Sequence, residues 1–117
     1  MTELVSITNF LTQQNLFDAF KNQLKKDFES CGQSIDFIDF LPNEFLNLRE
    51  SLRKEIVNIN RTSSSALMSL LYRIDINEKQ IKDYSNKEQD LSFETLVSEL
   101  IIKRILQKVI LRKHYSK

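Results

Sequence analysis

Between Lys103 and Lys117 the chain reads KRILQKVILRKHYSK, with six basic side chains and no acid. Lys103, Arg104, Lys108, Arg112 and Lys113 form a candidate basic patch, the residue types that neutralise nucleic-acid phosphates. The opposite block lies upstream: Asp27 to Leu48 carries Asp27, Glu29, Asp36, Asp39 and Glu44 and no base. Setting both blocks aside leaves eleven bases and eleven acids, and the whole chain has a formal charge of +1. There is no global field to gather polyanions or an acidic membrane surface. One positive and one negative patch on a neutral body commonly pair, within a subunit or between subunits.

Other chemistry is scarce. His114, the only histidine, stands near the chain end, where segments usually fray, and makes a poor half of a catalytic dyad. Cys31 is the only cysteine, so no internal disulfide forms, which suits a reducing compartment. One His, one Cys and no Glu-x-x-His pair supply no zinc or di-iron ligand set, so neither metal nor cofactor is expected. A single glycine excludes phosphate loops of the Walker or dinucleotide type. Cys31 precedes Gly32 at a helix end, away from the positive dipole that activates thiols, and reads as inert. Asp36 and Asp39 read as a solvated pair. Tyr72 and Arg73, before INEKQI, have the outline of a helix-turn-helix. The turn lacks glycine, however, and Glu78 to Asp83 is balanced in charge where a groove-reading helix would be basic. The expectation is a protein that is not an enzyme.

The elements that position these residues follow from apolar spacing. Leu4, Ile7, Phe10 and Leu11 share a face of a first helix that Thr2 can cap. Leu16, Phe20, Leu24 and Phe28 recur every fourth residue in a second, with a bend at Gln13 to Asn15 and Gly32 at its C-terminal cap. SIDFIDFLP, residues 34–42, reads as a short helical or extended connection that plugs rings into the core. Pro42 would then begin a third helix bearing Phe45, Leu48, Leu52, Ile56 and Ile59, with Glu50 and Lys54 paired outside. Thr62 or Ser63 caps a fourth, with Ala66, Leu67, Leu70, Leu71 and Ile74 inward. Asn77 and Gln80 suit a capping box, and Ile76 and Ile81 a hydrophobic staple. Ser85 to Asp90 reads as a polar loop, and the last helix starts near Ser92. The fold class expected is a single all-α domain over residues 1–117, a compact bundle of five or six helices without significant sheet.

The last helix changes its apolar side. At about 100° per residue, Phe93, Leu96, Val97 and Leu100 point one way, and Ile102, Ile105, Leu106 and Val109 nearly the opposite way. Such a helix cannot lie along a membrane surface, and no apolar run approaches the roughly 18 to 20 residues that span one. It needs two neighbours. The expectation is a cytoplasmic protein that acts by protein–protein interaction, with homodimerisation through Ile102, Ile105, Leu106 and Val109. The alternative is a nucleic-acid-associated protein using the basic patch.

Overall fold

Every fourth residue from Leu16 to Phe28 is apolar, and that row becomes the buried face of a helix, α2 (Gln14–Ser30). The computed structural model describes the backbone of residues 2–115 and the side chains of residues 6–113. Five more α-helices enclose one contiguous core with α2: α1 (Thr2–Leu11), α3 (Phe45–Thr62), α4 (Ser64–Ile74), α5 (Glu78–Lys87) and α6 (Phe93–Tyr115). No strand occurs among the described residues. The protein is an all-α bundle. The side chains of Thr2, Leu4 and His114, and Lys117 as a whole, lie outside the described residues.

Local chemistry explains most of the boundaries. Beyond Ser30 the backbone N–H of Gly32 bonds Glu29 O and that of Gln33 bonds Phe28 O, with Gly32 at φ 74°; this is the Schellman pattern, left-handed at the residue that bears it without strain. Ser63 Oγ accepts from Ala66 N at 3.1 Å and starts α4. Asn77 and Gln80 exchange two bonds of 2.8 Å each, the reciprocal box that opens α5. Ser92 Oγ receives Thr95 N at 3.3 Å before α6. Between α4 and α5 the chain reverses at Asp75, the one non-glycine residue with positive φ (79°) among those described.

Three boundary expectations and one pairing are corrected. Gln13, not Asn15, stands at the N-cap of α2. Pro42 lies ahead of α3, whose cap is Glu44, with its carboxylate accepting from Leu46 N and Asn47 N. Glu50 pairs with Arg53 rather than Lys54, because the guanidinium fork one turn on meets both carboxylate oxygens, at 2.9 and 2.6 Å. Ser85 to Lys87 continue α5, so the loop begins at Glu88.

The 34–42 connection contains a 3₁₀ helix over Asp36–Phe40. Its three-residue period sends Ile35, Ile38 and Leu41 inward, with Ile38 fully buried. Phe37 packs on Phe28 with ring centroids 5.5 Å apart. Phe40 is turned out and 86% exposed, so only one of the two rings plugs the core.

α6 is the axis of the bundle and packs against each of the other five helices. Its reversal of apolar side is satisfied by envelopment: Leu96 and Val97 are buried near its start, Ile101, Ile102, Ile105, Leu106 and Val109 further on. Ile102 and Ile105 are 0% exposed, Leu106 4% and Val109 3%. The expected intersubunit seam is therefore corrected. These four side chains belong to the subunit's own core, where each contributes about 1.5–3 kcal/mol by burial, because α1 to α5 between them cover both sides of α6.

Candidate functional site

Three arrangements of side chains stand out from this frame, two polar and one apolar. The first takes up most of the basic patch. Lys108 Nζ donates to Asp27 Oδ2 at 2.8 Å, and Asp27 is 2% exposed. Arg104 Nη2 meets Asp75 Oδ2 at 2.9 Å and Nη1 reaches Gln107 Oε1 at 3.3 Å; its buried Nε finds no acceptor among the described residues. Arg112 Nη2 donates to Gln23 Oε1. Lys113 is exposed. From the acidic block, Asp27 answers this patch through Lys108; Asp39 pairs with Lys25 at 2.5 Å, and Glu44 caps α3.

The second joins three helices at Glu99, 7% exposed on α6. One carboxylate oxygen accepts from Arg49 Nη1 of α3 at 2.6 Å, the other from the Tyr84 hydroxyl of α5 at 2.5 Å. Lys103 Nζ donates to that same hydroxyl at 2.9 Å and lies 4.2 Å from the ring centroid. A buried carboxylate with both oxygens engaged is a satisfied structural group. It anchors α5, the one described helix with no buried residue, which rests on α6 alone.

The third is a groove between α4 and α5. Leu67, Leu70, Leu71 and Ile74 take the inner face of α4, which leaves Met68 and Tyr72, four residues apart, side by side on the outside. Tyr72 is 87% exposed, Met68 42%, and Phe93 at the start of α6 44%. Two adjoining clefts, about 460 and 400 Å³, share Met68 and Glu78 as their common wall; Ile76 lines one, Ile81 and Lys82 the other. Three of the seven large apolar side chains left exposed among the described residues gather here.

No protein-family model, curated protein or solved structure matches the chain. The molecule's own geometry therefore carries the functional reading.

The structure disperses the residues singled out from sequence. Cys31 is half-buried at the end of α2, its thiol 3.8 Å from Ser69 O, and Asp36 and Asp39 lie exposed on the 3₁₀ helix. The groove escaped the sequence reading, which weighed Tyr72 only as part of a DNA-binding turn. Its signal was the row Met68, Tyr72, Ile76, one position off the core stripe of α4. No described helix is long and apolar enough to cross a membrane.

Proposed function

We propose that this is a non-catalytic helical protein that acts by protein–protein interaction, and that the contact surface is the α4–α5 groove, with a second copy of the chain as its occupant. The observation that carries the reading is the exposure of Tyr72 and Phe93 on two adjoining clefts that share Met68 as a wall. Clustered apolar side chains around a concave surface mark contact sites in soluble proteins, and tyrosine supplies much of the energy at such sites. Charge favours self-pairing. Glu78 and Lys82, one turn apart on α5, line the groove together, so two copies related by a two-fold axis can set acid against base. The chain's charge of +1 leaves little repulsion between copies.

The nucleic-acid reading is the weaker one, because Lys103, Arg104 and Lys108 are engaged inside the subunit. Charge exchange at the groove tests the proposal. In light scattering, Glu78→Lys should shift the population to monomer by placing two lysines against two, and adding Lys82→Glu should restore the dimer. An unchanged mass in both variants would remove the groove from the interface.

A further inference from the structure

Where α2, α4 and α6 meet, one carboxylate faces two cations, and the amide of Gln23 links it to a third. Asp27 accepts Lys108 Nζ at 2.8 Å on one oxygen, while Arg73 Nε stands 3.7 Å from the other, beyond hydrogen-bond distance. Gln23 Nε2 donates to that second oxygen at 3.2 Å, and Arg112 in turn donates to the Gln23 carbonyl. Arg112 thus leans on a neutral amide and has no acid among the described residues. These groups together carry three positive charges against one negative, a surplus of two in a chain whose total is +1. Asp27 and Gln23 are buried at 2% and 4%, whereas the Arg73 side chain is 52% exposed and Arg112 is also exposed. The surplus therefore faces solvent while its anchor does not.

We infer that Arg73, Lys108 and Arg112 form a binding site for a phosphate group. A phosphomonoester carries about −1.5 to −2 at neutral pH, which matches the surplus. Planar guanidinium forks suit its oxygens better than any other side chain does. Asp27 is a positioning residue here: it holds the Lys108 ammonium and steers Arg73, and Gln23 does the same for Arg112. The arrangement favours a compact anion over an extended polymer, because Arg73, Lys108 and Arg112 are gathered by the linked Asp27 and Gln23 side chains, and the preceding base along α6, Arg104, is committed to Asp75.

The test compares sodium phosphate with sodium chloride at equal ionic strength and neutral pH, on the full chain. Phosphate at about ten times its dissociation constant should raise the melting temperature by about 5 °C and should move the Nε–Hε resonances of Arg73 and Arg112. Both effects should vanish in the Arg73→Gln/Arg112→Gln variant, which should melt in chloride within about 2 °C of the parent, since it sheds two mutually repelling charges. Ten-residue oligo-dT then separates the sources of phosphate. Competition with phosphate at the arginine resonances assigns the site to a nucleic-acid backbone; its absence assigns it to phosphomonoesters. Equal shifts in chloride and phosphate, or a phosphate effect that survives the double substitution, would overturn the site.

Discussion

Lys108 and Asp27 are 81 residues apart in the chain, and their 2.8 Å contact fastens the basic end of α6 to the acidic end of α2. Asp27 sits almost wholly out of water, whereas Lys108 keeps part of its surface. The two partners are therefore unequal. Lys108→Met leaves Arg73 and Gln23 to answer the carboxylate, while Asp27→Asn leaves the cations around it with no anion. Breaking a buried pair from one side costs about 3–5 kcal/mol. Urea denaturation should place Asp27→Asn at the upper end of that range and Lys108→Met below it, and the double variant should cost less than the sum of the singles.

The central position of α6 makes a second prediction. Ile105→Ala should destabilise by about 2–5 kcal/mol, the cost of a cavity at a fully buried site. Ile105→Asp should unfold the chain, because a carboxylate there would have no partner. Circular dichroism distinguishes this from an interface residue, whose substitution would leave a folded monomer.

Tyr84 supplies the third. Tyr84→Phe keeps the ring and removes the hydroxyl that serves one oxygen of Glu99, a loss of about 1–3 kcal/mol for a buried acceptor left unmade. Because α5 rests on α6 alone, the effect should be local. Amide exchange in Glu78–Lys87 should accelerate while that in Phe45–Thr62 stays close to the parent's.

Two surface carboxylates should titrate low. Lys25 hydrogen-bonded to Asp39, and Arg53 hydrogen-bonded to Glu50, hold these acids below their ordinary ranges. A depressed folded-state value means that the stabilisation is present above the ordinary carboxylate range and is lost as pH falls through the lowered one. Both groups are exposed, so the effect on stability is small. Carboxyl-carbon NMR titration should show each value rising toward normal in Lys25→Gln and Arg53→Gln respectively.

Much of the fold was legible because its signals are local. The four-residue row of α2, the Asn77–Gln80 box and the Ser63 cap each need only a few neighbouring residues to be recognised. The side-switching pattern of α6 was equally visible, but its meaning was not. Ile102 to Val109 needed a second neighbour, and nothing in the sequence says whether that neighbour is another chain or the same chain wrapped round. The Arg49–Glu99–Tyr84 junction was hidden for a related reason: it joins three helices, and no spacing rule connects positions 49, 84 and 99. Met68 and Tyr72 lie one position off the core stripe of α4, and only the course of α5 and the start of α6 shows that they join Phe93 among the exposed apolar side chains.

The mass of the parent chain in solution, measured by light scattering from micromolar to millimolar concentration beside Met68→Ser/Tyr72→Ser, tests association through the α4–α5 groove most directly. The parent should reach twice its monomer mass of 13.8 kDa, and the variant should stay monomeric with its helicity and melting temperature retained. A parent that remains monomeric at millimolar concentration, or a variant that dimerises as the parent does, would contradict it.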